Sequence, residues 1–267
     1  MNVIQDDFKA NVARSFGRAA GTYDGVAALQ RRIGRALMDQ ISPMSSRPVV
    51  LDLGAGTGFF ARQLSSLFGD GNVIALDIAE PMLQQARRDF KGHCIVGDAE
   101  AIPFRSATVD LVFSNMCIQW CRSPEQLFAE IRRILRPDGT VIFSTFGPKT
   151  LIELRRAWAA TDTYDHVIDF KSPADIESAL VSAGLIWTEK KAWLECCPYA
   201  DVKALMRELK ELGARNASGN RLPGMTGKGR LAAMLAAYPP ISSDSGAGIS
   251  ATFEILGGRL RCAGAGR

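Results

Sequence analysis

The chain of 267 residues reads as an α/β protein. The expected fold is a Rossmann-like, doubly wound, mainly parallel seven-stranded sheet whose last strand is antiparallel. A helical N-terminal lid and C-terminal cap elements are added to it. Three observations predict this. Short apolar runs alternate with amphipathic segments from Val49 to Thr145, the pattern of strand–helix–strand units. The first run, Val49-Val50-Leu51-Asp52-Leu53, leads directly into Gly54, Gly56 and Gly58 and then into a helical segment. Acidic residues, Asp77 and Asp98, stand at the ends of the second and third runs, where open α/β sheets gather their ligands.

Taken in order, Asp6 to Ser42 predicts two helices. The first carries Phe8, Val12 and Phe16, and the second Val26, Leu29, Ile33, Leu37 and Ile41, close to helical spacing. The glycines between them are expected to break the helix and put Arg18 and Tyr23 in a bend, a segment able to fold over a site as a lid. Val49 to Leu53 then has the composition of a strand buried on both faces. Glycine at alternate positions allows a sharp turn and close approach of a ligand to the main chain. The helix from Phe59 to Leu67 presents backbone N–H groups to that turn, a site for an anionic group.

The second strand, Asn72 to Leu76, ends in Asp77, whose carboxylate is placed to accept both hydroxyls of a ribose. Nicotinamide dinucleotides use the same logic. Two features argue against them here: the spacing is G-x-G-x-G, and Asp52 sits inside the end of the first strand. Pro81 opens the next helix, and Met82 either covers an adenine face or fills the core. His93 to Val96 is the third strand; Asp98 after it either accepts from an adenine amino group or serves as a turn aspartate. Thr108 to Ser114 is the fourth strand, and Asn115 to Trp120 follow it directly, at the strand ends where a ligand is expected.

Pro124 to Leu135 is an amphipathic helix, stopped by Arg136-Pro-Asp-Gly139 before a fifth strand from Thr140 to Thr145. Thr150 to Ala160 is helical, and Ser172 is an N-cap before Pro173. A sixth strand spans Leu185 to Glu195, helices span Asp201 to Leu212 and Lys228 to Tyr238, and the last strand spans Ile249 to Leu256. The expected division is a lid over residues 1–42 and a main domain over 43–267, with a helical substrate-cap insertion at 196–240.

Composition narrows the class. Apolar residues make up 47% of the chain, yet no apolar run approaches the ~20 residues of a membrane span. No secretory leader is read at the N-terminus, which carries Asp6, Asp7 and Lys9. Six cysteines without a C-x-x-C pair suggest free thiols in a reducing cytoplasm, and two histidines leave little for a metal site. The net charge of +4 is not a nucleic-acid footprint. A monomer without membrane or nucleic-acid partners is expected.

The stretch Leu51-Asp-Leu-Gly-Ala-Gly-Thr-Gly58 resembles motif I of S-adenosylmethionine-dependent methyltransferases, together with Asp77, Gly97-Asp98-Ala99 and Leu135-Arg-Pro-Asp-Gly139. More specifically, the chain resembles the malonyl-acyl-carrier-protein O-methyltransferases of biotin synthesis over nearly its full length. That likeness rests on Phe16-Gly-Arg-Ala-Ala20 with Tyr23, on Asn115 with Gln119-Trp120-Cys121, on Leu209 to Ala214 with Asn216, and on Ile249 to Glu254. Gly257-Gly258 departs from it, because an aromatic residue is expected there.

The resemblance implies a class I fold and S-adenosyl-L-methionine as cofactor, leaving as S-adenosyl-L-homocysteine. The implied cofactor residues are Asp52, Gly54, Ala55, Gly56, Asp77, Ile78, Met82, Asp98, Ala99 and Asn115. It implies methylation of the free carboxylate of a malonyl thioester, an early step towards the pimeloyl moiety of biotin. That carboxylate is ionised near neutral pH and needs no general base. It does need donors to orient it, and Arg18, Tyr23, Gln119, Lys210 and Arg215 are the candidates.

The implied partner is an acidic malonyl-acyl-carrier protein, or malonyl-coenzyme A. Between Lys190 and Arg230 nine basic residues stand against four acidic ones, a segment able to steer an acidic partner. Two other readings remain open. One is a methyltransferase of another small carboxylate or a quinone precursor; the other is a non-catalytic cofactor-binding assembly factor.

Overall fold

The computed structural model describes residues 3–44, 47–214, 227–243 and 246–264. Strand β1 (Val50–Leu53) is buried throughout, and each of its residues pairs in parallel with β2 (Val73–Asp77). β2 pairs in parallel with β3 (His93–Val96), and β1 pairs on its other side with β4 (Val109–Asn115). β4 pairs with β5 (Leu135–Phe146), also in parallel. β8 (Gly246–Cys262) then runs antiparallel between β5 and β6 (Leu185–Tyr199). The seven-strand order is β3-β2-β1-β4-β5-β8-β6, and the short β7 (Ile241–Ser243) pairs with β8 off that path. The expected doubly wound sheet with an antiparallel last strand is thus present.

Helices cover both faces. On one, α3 (Ala28–Met38), α4 (Phe59–Phe68) and α5 (Glu80–Asp89) bury Leu37, Phe60, Leu64 and Leu83 against Val50, Val73 and Phe113. On the other, α6 (Pro124–Ile134) and α8 (Pro173–Ser182) bury Phe128, Ile131, Ile176 and Leu180 against Leu51, Val112 and Phe143. Alternate residues of β1 enter opposite clusters, as strand geometry requires. Ser172 caps α8 in a reciprocal capping box with Asp175.

A separate cluster joins α7 (Ile152–Ala159), α9 (Val202–Glu211) and α10 (Lys228–Ala237). It buries Leu154, Trp158, Leu205 and Met234 against Leu29 and Ile33 of α3 and Phe253 of β8.

Three expectations are corrected. First, α1 (Val3–Ala19) runs unbroken through Gly17 and Arg18, so Arg18 lies in its last turn rather than in a bend. Gly17 serves packing: a Cβ there would come within 3.2 Å of Pro81 Cγ. The chain breaks later, where the Thr22 amide and hydroxyl both donate to the Ala19 carbonyl before α2 (Tyr23–Val26).

Second, Leu135 to Gly139 belongs to β5 as a bulge, with the pairing moving from Val109–Leu135 to Leu111–Thr140. Third, β8 continues past Leu256 to Cys262 and β6 past Glu195 to Tyr199, because the two strands pair along nearly their whole length. Gly257 and Gly258 therefore lie mid-sheet. A Cβ on Gly257 would stand 2.2 Å from the Phe143 carbonyl oxygen, so no aromatic residue fits in this arrangement.

Candidate active site

The strand order reverses between β1 and β4, and a cavity opens at their C-terminal ends. This is the crevice in which such sheets take ligands. Its floor is Gly54, Gly56, Leu76, Asp77 and Ile78, continued by Gly97 to Glu100 and by Asn115 to Cys117. Its roof is Lys9, Val12 and Phe16, one face of α1, together with Tyr23. Trp120 closes one side and meets Phe16 edge to face at 5.1 Å.

The floor is shaped by backbone. Gly54 and Gly56 have φ of +78° and +55°, values favoured only by residues without a Cβ. A Cβ on Gly54 would lie 2.4 Å from Cys117 Sγ. One on Gly56 would meet nothing within 4 Å, so the loop is open to a ligand there. Asp77 Oδ2 accepts from the Gly56 amide at 2.9 Å and Oδ1 from the Ala79 amide at 2.8 Å, which ties the glycine turn to the end of β2. Burial pushes the Asp77 carboxyl up, against the lowering effect of these N–H groups.

Beneath the turn a second recess is lined by Tyr23, Asp24, Gln30, Arg31, Asp52, Gly54 to Thr57 and Asn115. Asp52 is 2% exposed. Burial, then the charge of Asp77, push its carboxyl up to about 8. Asp52 Oδ2, Gln30 Oε1 and Arg31 Nε are all buried there without a hydrogen-bond partner. An unpartnered carboxyl oxygen and an unpartnered guanidinium N–H lining one recess are the set that an amino acid's ammonium and carboxylate would complete. Asp77 at the end of β2 suits a ribose. The residues therefore fit S-adenosylmethionine along its length.

Met82 is 1% exposed; it lines the cavity and packs with Ala20, Ala79, Phe16 and Tyr23, so it is both core and wall. Asn115 is held at both ends of its amide, donating to the Gln30 carbonyl at 3.0 Å and accepting from Ser144 Oγ at 2.9 Å. Ile78, Asp98 and Ala99 line the cavity and Ala55 the recess, so all ten expected cofactor residues converge on the two spaces.

Of the expected substrate-orienting residues, only Tyr23 does so. Its phenol is pushed up by burial, then by Asp77, and stays protonated through neutral pH. Gln119 is buried in the turn Ile118–Trp120 with both amide ends used, donating to the Met116 carbonyl at 2.8 Å and accepting from Thr145 at 3.2 Å. It braces Met116, whose φ of +54° marks a strained position in the cavity wall. Arg18 is exposed in a shallow groove beside Glu80 and Pro81, and Lys210 is exposed on α9. Arg215 lies outside the described residues.

A methyltransferase-domain family profile matches residues 51–143, the segment that carries the floor. A malonyl-[acyl-carrier protein] O-methyltransferase from Methylococcus capsulatus is 43% identical over 92% of this chain and 90% of its own length. The chain belongs to this methyltransferase family. A relative of the same name from Methylovorus is 40% identical over 94% of this chain and 88% of its own. A biotin biosynthesis bifunctional protein BioHC from Cellvibrio japonicus is 42% identical over 92% of this chain, which spans only 49% of that longer protein.

Among solved structures, YcgJ from Bacillus subtilis superposes with a TM-score of 0.62 at 14% identity, covering 87% of this chain and 99% of that one. Geranyl diphosphate C-methyltransferase from Streptomyces coelicolor does so at 0.55 and 14%, covering 88% and 80%. Both share the fold.

The sequence reading missed Lys9, Gln30, Arg31 and Glu100. A signal for Lys9 was available: it lies three and seven residues before Val12 and Phe16, on the same helix face. Gln30 and Arg31 gave none, since they follow an ordinary amphipathic pattern. Among the described residues no cluster of metal-ligating side chains occurs, and no helix is long and apolar enough to cross a membrane.

Proposed function

We propose that this protein transfers a methyl group from S-adenosylmethionine to the free carboxylate of a malonyl thioester, carried by an acyl carrier protein or coenzyme A, early in biotin formation. The observation that carries the reading is the 43% identity, over nearly the full length of both chains, to an enzyme of that name. The cavity chemistry agrees with it. When bound, the cofactor supplies a methyl on a positively charged sulfur, an activated leaving group. The acceptor carboxylate is ionised near neutral pH, so the protein needs no base. Neither histidine lines the cavity: His166 stacks on Trp158 and pairs with Asp162 at 2.9 Å, and His93 is exposed on β3.

What the residues contribute is placement, which can supply roughly 7–11 kcal/mol of a barrier. Asp52 and Arg31 hold the two ends of the amino acid group, and Asp77 holds the ribose. Tyr23 lines both the cavity and the recess, and in this reading its hydroxyl donates to the acceptor carboxylate. In this reading residues 1–42 act as a lid and the expected cap begins after Tyr199, because 196–199 belong to β6, and runs to 240, with 215–226 outside the described residues. Arg18 and Lys210, outside the cavity, meet the incoming carrier rather than the carboxylate.

The basic segment divides on folding. Lys190 pairs with Glu177 at 2.7 Å and Lys191 with Glu189 at 2.8 Å on the edge strand β6. Lys203, Arg207 and Lys210, by contrast, form an exposed stripe along α9, and this stripe is the proposed carrier contact. Mass spectrometry of malonyl-carrier protein incubated with enzyme and cofactor should show one added methyl on the malonyl group. No addition with either malonyl thioester, from protein that binds S-adenosylhomocysteine, would overturn the substrate.

A further inference from the structure

Among the described residues that line the cavity, Lys9 is the one cation. Its Nζ lies 2.5 Å from Asp98 Oδ2 and 2.6 Å from Glu100 Oε2. Both carboxylates belong to the β3–β4 connection, and Lys9 belongs to the inner face of α1. Exposed ion pairs contribute little, typically about 0–1 kcal/mol. This one differs in burial: the Glu100 side chain is 2% exposed and that of Lys9 22%. Burial works against the Lys9 ammonium, but the hydrogen bonds to Asp98 and Glu100 outweigh it and hold the group above the usual lysine range.

The contacts around the pair fix it further. Glu100 Oε1 accepts from the Ser123 amide at 2.6 Å, and Asp98 Oδ1 accepts from the Glu100 amide at 2.9 Å. With Lys9 on Asp98 Oδ2, both Asp98 oxygens are oriented and each keeps a lone pair for a ligand donor.

We propose that Lys9 is a positioning residue that latches α1 over the adenine end of the cofactor site, so that cofactor binding and lid closure are one event. Asp98 is the shared element. It holds the lid through Lys9 and, on the reading above, receives the adenine amino group. A carboxylate oriented by the lid binds the adenine better, and an adenine on that carboxylate holds it where the lid needs it. The coupling is reciprocal, as linkage requires. The stem of Lys9, with Val12 and Phe16, covers the cavity while its charge sits on the two acids.

The inference rests on the cofactor reading, so the first measurement is S-adenosylhomocysteine binding to the unmodified protein. Absence of binding there would sink the cofactor reading itself. Given binding, hydrogen exchange should show the amides of α1 and of residues 98–101 slowing together when S-adenosylhomocysteine is added. Lys9→Met alone would strand the buried Glu100 carboxylate. The informative variant is therefore Lys9→Met/Glu100→Gln, which removes both charges. It should melt close to the unmodified protein without ligand, yet bind S-adenosylhomocysteine about tenfold more weakly, with no slowing of α1 on binding. Lys9→Arg, which keeps the charge, should restore most of both. A double variant that binds as tightly as the unmodified protein, or whose α1 slows as much on binding, would overturn the latch.

Discussion

The floor of the cavity is made of strand ends and main-chain N–H groups, whereas its roof is made of side chains on α1. Gly54, Gly56 and Asp77 are fixed by the sheet register, because Gly54 and Ala55 both donate to the Leu76 carbonyl and Gly56 donates to Asp77. The roof has no such ladder. Val12, Phe16 and Tyr23 lie over the floor by packing, and Lys9 by charge. A backbone-built surface tolerates almost no change at the residues whose φ it depends on. A side-chain roof can loosen by degrees. Changing a residue whose φ the floor depends on should therefore cost cofactor affinity most, and trimming the packed side chains of the roof should cost it by degrees.

The largest effect is expected at Gly54. An alanine there must hold φ near +78° and displace Cys117. Backbone strain of about 1–3 kcal/mol, spent wholly on binding, would weaken it by up to roughly a hundredfold. Calorimetry with S-adenosylhomocysteine should show that loss for Gly54→Ala and a few-fold loss for Val12→Ala in the roof. Equal losses at both would erase the distinction between the two walls.

Asp77→Ala comes next. On the proposed reading it removes charge-assisted ribose contacts of roughly 1.5–3 kcal/mol each before water compensates. It also frees the Gly56 and Ala79 amides. About a tenfold loss of cofactor affinity is expected by calorimetry, and unchanged affinity in a folded variant would remove Asp77 from the site.

The same contrast explains what could be read from the sequence. The floor was legible because glycine spacing, strand-end carboxylates and apolar runs are local features, and parallel pairing then brings them together. All ten expected cofactor residues line the two spaces for that reason. The roof was less legible because it depends on contacts far apart in the chain. Lys9 meets Asp98 across 89 residues, which no periodicity encodes. Gly17 looked like a helix breaker, yet it is a contact surface for Pro81. Gln119 looked like a free donor, yet its amide is used within its own turn and by Thr145. Residue type identified these positions as special, and only packing showed what each one does.

A pH experiment separates floor chemistry from the methyl transfer. In the protein without cofactor, burial and then the nearby charge of Asp77 push the Asp52 carboxyl up to about 8, far above the usual carboxylate range. The folded chain therefore keeps a proton that the unfolded chain releases near pH 4. This lowers folding stability as pH rises towards about 8. A bound ammonium favours ionised Asp52, so binding must expel that proton at lower pH. Affinity for S-adenosylhomocysteine should rise by roughly tenfold or more from about pH 6 to about pH 7.5, with proton release visible as a buffer-dependent heat. Asp52→Asn should abolish both. The transfer step itself should stay nearly flat across this range in single turnovers, and a bell-shaped profile would reveal a base in the cavity.

The smallest effect lies outside both walls, on the exposed stripe of α9. Val202, Leu205 and Leu212 are buried. Lys203, Arg207 and Lys210 point away from them at helical spacing. Glu208, next to Arg207 in sequence, is engaged elsewhere, accepting from the Tyr199 hydroxyl at 2.7 Å. Exposed charges of this kind act mainly on encounter, changing association rate and salt dependence more than turnover. Lys203→Glu/Arg207→Glu should therefore raise KM for malonyl-carrier protein a few-fold and leave kcat nearly unchanged. The difference should shrink as salt approaches ~0.15 M and beyond, where screening acts over about 8 Å. KM for malonyl-coenzyme A, which brings no protein surface, should change far less. Lys210 is left unmutated because a contact of its own with the thioester arm would blur that split. Equal losses on both substrates would mean that α9 shapes the cavity. No loss on either would move the carrier to Arg14 and Arg18 on α1, because Arg31 and Arg32 already pair with Asp24 and Glu195.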